Sequence, residues 1–409
     1  MSAPELPAAR FDPLSAEQHD DPFELLALAR REQPVFYAPE LDLWVVTRYD
    51  DVLAVLKDHR AFSSTGALRS ASAPLPPEVA DALAEAYPEM PYIIEIDPPL
   101  HDRIRGLVTR AFTPRRIAAL EPAIRRIVAE LLDGLPAAGE VEIIGAFAWP
   151  LPLRVLGELL GLPRADLPQL HAWGNDWILV QQEGPLERRI AHARGTAALQ
   201  RYFMDVVAER TRTPSDDLIS ALVRDRSQLD PPLSDVEIAG LPLDLMVAGH
   251  VTVTRAIGNT LHLLFADPTV RAQLLDRERA PRAIEEIMRL ESPAQGLFRT
   301  ATRSVDVSGT TIPAGARVMV HFASANRDER SFSRPAAFAP ERDDLTRHLA
   351  FGKGIHFCIG APLARLELAI ALPALLERLP GLRPRGSASR EPLFFARGFA
   401  TLDVAWGDA

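Results

Sequence analysis

The stretch Phe351-Gly352-Lys353-Gly354-Ile355-His356-Phe357-Cys358-Ile359-Gly360-Ala361-Pro362-Leu363-Ala364-Arg365-Leu366-Glu367 carries the one cysteine of this 409-residue chain. Three glycines close together let the backbone turn tightly and approach a flat ligand, and Pro362 suits the first turn of a following helix. Cys358 then falls at a helix N-terminus. Backbone N–H groups and the positive end of the helix dipole lower a thiol's pKa there and favour the thiolate, the form that ligates metal. A lone cysteine is ordinarily a small buried hydrophobe. Here the six positions Phe351, Gly352, Gly354, His356, Cys358 and Gly360 would coincide by chance in about one chain in a million of this length.

The loop resembles the haem-binding signature of the cytochrome P450 family, in its soluble bacterial, ferredoxin-dependent class. The resemblance implies that Cys358 is the axial sulfur ligand to the iron of haem b, with Phe351, Gly352, His356 and Gly360 shaping the cofactor's seat. A thiolate opposite dioxygen pushes electron density toward the metal and favours O–O cleavage.

Upstream, Glu286-Ile287-Met288-Arg289 taken alone is a solvated i,i+3 ion pair on a helix. Its distance from the cysteine loop, with Phe338-Ala339-Pro340-Glu341-Arg342 between them, resembles the family's buried Glu–Arg–Arg network. Glu286, Arg289 and Arg342 are expected to fix the scaffold and do no chemistry. In Asp97-Pro98-Pro99-Leu100-His101-Asp102-Arg103-Ile104-Arg105, the residues His101 and Arg105 share one helical face. By resemblance they reach the haem propionates, which need paired donors when partly buried, and Arg299 and His356 complete the set.

From Ser234 to about Phe265 runs a long apolar segment, opened by the capping box Ser234-Asp235-Val236-Glu237 and closed by Asp267-Pro268. As one helix it would span about 48 Å, and Pro242 should kink it early. At its middle, Ala248-Gly249-His250-Val251-Thr252 resembles the family's distal motif, in which small residues leave room for dioxygen and the threonine hydroxyl steers protons. Ala248 and Thr252 lie one turn apart on one face. The departure is Val251, where the family usually carries an acid that relays solvent protons. Valine neither donates nor accepts, and His250 is displaced by about 100° of helix rotation. Water held by Thr252, helped by a polar group on the substrate, is the expected route. Asp244, one turn before Ala248, is either turned toward solvent or a neighbouring Arg, or binds a cationic or hydroxylated substrate. The pocket that the resemblance implies is further lined by Ile94, Val247, Leu297 and Phe395, which predicts a mostly apolar substrate.

Around these motifs, helical spacing dominates. Ile117, Leu120, Ile124, Ile127, Val128 and Leu131 recur at three- and four-residue steps after Thr113-Pro114, and the pattern returns near 150–162, 186–211 and 215–224. Strand signals are short, as at Trp44-Val45-Val46-Thr47 and at Val305-Asp306-Val307 before Ser308-Gly309. The stretch Ala67–Pro91 suits a mobile surface segment with at most a short helix. The expected fold class is mainly α with small β-sheets, a single cytochrome P450 domain over residues 1–409. Composition agrees with a folded globular chain, at 47% hydrophobic and 24% charged. A net charge of -10 argues against nucleic acid as partner. The charged amino terminus, the absence of an uninterrupted apolar run of membrane-span length, and the single cysteine predict a cytoplasmic protein without disulfides and without a membrane anchor.

The resemblance implies a monomeric monooxygenase that inserts one atom of O2 into a small organic substrate. Its electrons would come from NAD(P)H through a reductase and a ferredoxin, docked on a basic face that Arg110, Arg115, Arg116, Arg125 and Arg126 help to form. Two alternatives stay open on the same fold: a peroxide-driven oxygenase or a haem-thiolate isomerase or dehydratase, which never needs the proton relay and is consistent with Val251; and a non-catalytic recruitment domain, which would have no need of a thiolate.

Overall fold

The computed structural model describes residues 7–68, 75–182, 184–391 and 393–407. Residues 69–74, part of the segment expected to be mobile, lie outside them; its remainder forms a helix at Pro77–Ala84. Contacts divide the chain into two compact units.

The first unit comprises Met1–Ala67, Val128–Trp149 and Thr252–Ala409. Its main sheet has five strands in the order Val35–Ala38, Leu43–Val46, Arg317–His321, Gly296–Ala301 and Phe62–Ser63. Leu43–Val46 runs parallel to Arg317–His321, with Trp44 opposite Val318 and Val46 opposite Val320. Val46, Val318 and Val320 are fully buried, because a strand covered on both faces reads as a continuous apolar run. A second sheet orders Gly139–Glu142, Phe399–Trp406 and Arg383–Arg390. The Val305–Val307 and Thr310–Ile312 hairpin turns through Ser308 and Gly309, both at positive φ, the backbone that a tight two-residue hairpin demands.

The second unit comprises Leu68–Ile127 and Pro150–Val251 and is helical, with Leu167–Leu179 packed along Leu186–Arg212. The helices expected near 150–162, 186–211 and 215–224 are found at Pro150–Leu160, Leu186–Arg212 and Leu218–Asp225. One expectation is corrected. The apolar spacing after Thr113 suggests one helix, but the chain breaks at Leu120 into Pro114–Ala119 and Glu121–Asp133. Pro122 has no N–H to offer the carbonyl four residues back, so the ladder cannot pass it. Thr113 does cap the first piece, accepting the N–H of Arg116 at 3.2 Å.

The long helix runs from Asp235 to Ala266, 32 residues with Pro242 inside it. Its capping box is reciprocal: Ser234 N–H donates to Glu237 at 2.7 Å and Glu237 N–H donates to Ser234 Oγ at 3.2 Å. By length and composition it could cross a membrane, but 61% of its apolar window is buried inside the fold, as in the core helix of a globular protein.

Candidate functional site

In the first unit the cysteine loop folds as its glycines require. Gly352 and Gly354 sit at φ +66° and +76°, and a Cβ on Gly354 would meet the Leu56 carbonyl oxygen at 2.3 Å. A 3-10 turn at Gly354–His356 brings the chain round, and Cys358 N–H donates to the carbonyl of Phe351 at 2.9 Å. The helix Ala361–Arg378 starts three residues later, with Pro362 in its first turn. The thiol is thus half-buried beside a helix N-terminus, the setting that favours its ionised form.

In the same unit Glu286, Arg289 and Arg342 join in one buried network. Glu286 and Arg289 are fully buried; Arg289 donates twice to the carboxylate, at 2.8 Å each, and Arg342 Nε donates at 3.0 Å. The N–H of Ala339 adds a fourth donor at 3.0 Å. The remaining Arg289 donors reach the carbonyls of Asn326, Pro335 and Ala337. Charges so deep in a protein are tolerable only when every donor and lone pair is spoken for, and here they are.

The same unit holds Arg299, buried on strand Gly296–Ala301 with one guanidinium nitrogen on the Phe298 carbonyl, together with half-buried His356 and Thr252. Leu297 and Phe395 are half-buried in this unit as well.

In the second unit His101 and Arg105 fall on the Leu100–Ala111 helix, His101 buried with Nδ1 2.9 Å from Asp102. Ala248 is exposed although Leu243, Met246 and Val247 on the same helix are buried. Gly249 lies against Leu156, where a Cβ would come within 3.2 Å. His250 is buried and stacks edge-on against His171 at 4.8 Å. Burial lowers the His171 pKa to about 4, so that ring is neutral. Among the described residues Asp244 is neither exposed nor paired with an arginine. It is buried, and its carboxylate accepts the N–H of Ile93 at 2.5 Å, beside Ile94. Burial pushes its pKa well above the usual carboxylate range.

A second ionic cluster near the cysteine was missed from the sequence. Glu285 joins Arg365, from the helix after the loop, and His348, from the segment before it. Adjacent glutamates at 285 and 286 are a visible signal, but nothing local says that they serve different networks.

The residues fit a haem. Within the first unit, Cys358 supplies a sulfur donor at a helix N-terminus, and buried Arg299 is a cation of the kind that carboxylates need when taken from water. Comparison with known proteins agrees. The family model described as cytochrome P450 matches residues 280–390, which contain both the Glu286 network and the cysteine loop. The mycinamicin IV hydroxylase/epoxidase of Micromonospora griseorubida is 38% identical over 376 residues, 89% of this chain and 90% of that protein.

The chain belongs to the cytochrome P450 family. Among solved structures, cytochrome P450 CYP109Q5 from Chondromyces apiculatus superposes with a TM-score of 0.85 at 36% identity, covering 98% of both chains. CYP109E1 from Bacillus megaterium, solved with testosterone, gives 0.83 at 32% identity, over 96% of this chain and 100% of that one. As a cytochrome P450 the protein is a haem b enzyme, a monooxygenase acting with O2 and a redox partner on a small organic substrate.

Proposed function

We propose that this cytochrome P450 is a cytoplasmic, monomeric, ferredoxin-dependent monooxygenase of a predominantly apolar small molecule, with Cys358 as the proximal ligand. The observation that carries the assignment is the cysteine loop: a thiol beside a helix N-terminus, its own N–H fixed on the Phe351 carbonyl. Bound haem supplies the activation of O2, one atom of which enters the substrate while the other leaves as water, with two electrons and two protons consumed.

The protein's part is to hold, shape and supply protons. Cys358 bears the negative charge that the helix terminus favours. His101, Arg105, Arg299 and His356 are assigned to the two propionates. Exposed Ala248 leaves space beside the distal helix, Gly249 lets that helix pack closely on Leu156, and the Thr252 hydroxyl holds the water that passes protons inward. His250, packed on His171, is assigned a share in that helix's shape and not in the relay. By resemblance, Ile94, Val247, Leu297 and Phe395 are assigned to apolar substrate contacts. Asp244 adds a carboxyl that burial keeps neutral, so that it orders the wall at Ile93 and attracts no cation. The relative solved with testosterone supports a mostly apolar substrate.

A ferredoxin is an acidic partner for exposed Arg110 and Arg115. Arg125 and Arg126 have weaker claims to that role, being paired with Glu121 at 2.7 Å and Glu158 at 2.5 Å.

The test is the reduced carbon-monoxide difference spectrum of the purified protein beside Cys358→Ala. A thiolate-type Soret band lost in the variant supports the ligand; a band that survives the substitution overturns it. Val251 favours one second reading, peroxide-driven oxygenation, which needs no proton relay. Turnover with peroxide and none with reductase and ferredoxin would select it.

A further inference from the structure

Glu285 sits on the Ala280–Leu290 helix, one residue before the buried Glu286, yet faces a different network. Its two oxygens accept a bidentate pair from Arg365, Nε at 2.5 Å and Nη2 at 2.8 Å, and one of them also meets His348 Nε2 at 2.8 Å. His348 Nδ1 accepts the N–H of Ala350 at 3.3 Å, so Nε2 carries the proton and donates it to Glu285. The imidazole need not be charged to make both bonds. Burial works against the ionised carboxyl, but the donors of Arg365 and His348 outweigh it and hold the Glu285 pKa down to about 2. Arg365 and ionised Glu285 therefore face one another as opposite charges.

Phe351 lies at the centre of this arrangement. The Arg365 guanidinium stacks over its ring at 4.4 Å and the His348 ring stands 5.9 Å away. The carbonyl of the same Phe351 holds the N–H of Cys358. Phe351 thus joins Arg365, stacked on its ring, to Cys358, bonded to its carbonyl. An arginine this near a thiolate stabilises it, and the glutamate behind the arginine offsets part of that field.

We propose that Glu285, Arg365 and His348 form a clasp that sets the electrostatic field at Cys358, and with it the reduction potential of the haem. This rests on Cys358 being the ligand. Charges and hydrogen bonds around a metal's donor atoms are what tune its potential once the ligand is fixed. Arg365 and Glu285 are positioning residues with opposite effects. Removing the carboxylate leaves an uncompensated cation beside the thiolate, which favours the reduced, more negative centre. Removing the guanidinium leaves an uncompensated anion, which disfavours it.

The experiment is a redox titration of the haem-loaded protein followed by its absorption spectrum, for wild type, Glu285→Gln, Arg365→Gln, the double variant and Arg365→Lys. At the wild-type midpoint the reduced-to-oxidised ratio is expected to rise severalfold in Glu285→Gln and to fall severalfold in Arg365→Gln. It is expected to return close to the wild-type ratio in the double variant and to stay there in Arg365→Lys, which keeps the charge but loses the planar fork. A mere loosening of the loop would move both single variants the same way and the double variant further. That pattern, or no shift in either, overturns the clasp while leaving Cys358 as ligand. A thiolate-type carbon-monoxide band that persists in Cys358→Ala overturns the ligand assignment and the clasp together.

Discussion

The carboxylate of Asp244, on the long distal helix, accepts the backbone N–H of Ile93 at 2.5 Å and so ties that helix to the short turn Ile93–Glu95. Burial raises the Asp244 pKa, so the folded protein keeps a proton there that the unfolded chain gives up above about pH 4. Stability contributed by this group therefore falls as pH rises from that value toward the folded pKa. Asp244→Asn keeps a carbonyl acceptor for Ile93 and carries no charge. Its melting temperature, set against wild type between about pH 5 and 8, should gain on wild type as pH rises. Asp244→Leu instead orphans the Ile93 N–H and should cost about 1–3 kcal/mol by urea unfolding at acid pH. If both variants track wild type, the bond does not hold the turn.

Glu286 is the single carboxylate between two buried guanidiniums, 2.8 Å from Arg289 and 3.0 Å from Arg342. Glu286→Gln leaves Arg289 without a counter-charge where no solvent can screen it, and leaves Arg342 with Asp344 alone, at 3.3 Å. The expected loss is about 3–5 kcal/mol of unfolding free energy, with haem retention falling in parallel. A loss below about 1 kcal/mol would mean that the network is relaxed by water and is not the scaffold it resembles.

Glu367 lies on the helix that follows Cys358, fully buried, with Oε2 lacking any hydrogen-bond partner among the described residues. Burial raises its pKa from 4.5 to about 8. The sign is that of a raised acid: its contribution is intact below the unfolded value and is lost as pH climbs toward the folded one. Glu367→Gln should flatten the decline of melting temperature across that window and leave the variant the more stable protein at its alkaline end. Parallel melting curves at all pH values would show that Glu367 finds a partner in solution.

Local rules made much of this legible. The turn at Gly352 and Gly354 follows from glycines at positive φ, and the capping box at Ser234 and Glu237 closes as written. The three members of the Glu286 network were identifiable because their spacing resembles a known family's. Where a contact joins distant segments, nothing periodic announces it. Ile93 and Asp244 are 151 residues apart, and Glu285 lies 80 from Arg365 and 63 from His348. Asp244 looked like a solvent-facing or substrate-binding acid because its partner is a backbone N–H, which every residue but proline carries. The break at Leu120 was hidden for the opposite reason: apolar spacing continues through it, and a single missing N–H at Pro122 decides the geometry.

Val251 stands immediately before Thr252 on the distal helix, half-buried, where the family that this chain belongs to usually has an acid. On the proposed reading, protons arrive by water held at the Thr252 hydroxyl, and a slow supply diverts electrons to peroxide before the substrate is oxidised. Val251→Glu adds a group able to pass protons at one residue's remove from that hydroxyl. Measured as product formed and peroxide released per NAD(P)H consumed with ferredoxin and reductase, the variant should lose a smaller share of electrons to peroxide and turn over faster. A glutamate that changes neither quantity shows that proton supply does not limit this enzyme. If, in addition, wild type oxidises substrate with peroxide alone and not with the reductase and ferredoxin, the relay is absent because the reaction never draws on it, and the peroxide-driven route replaces the ferredoxin-dependent one.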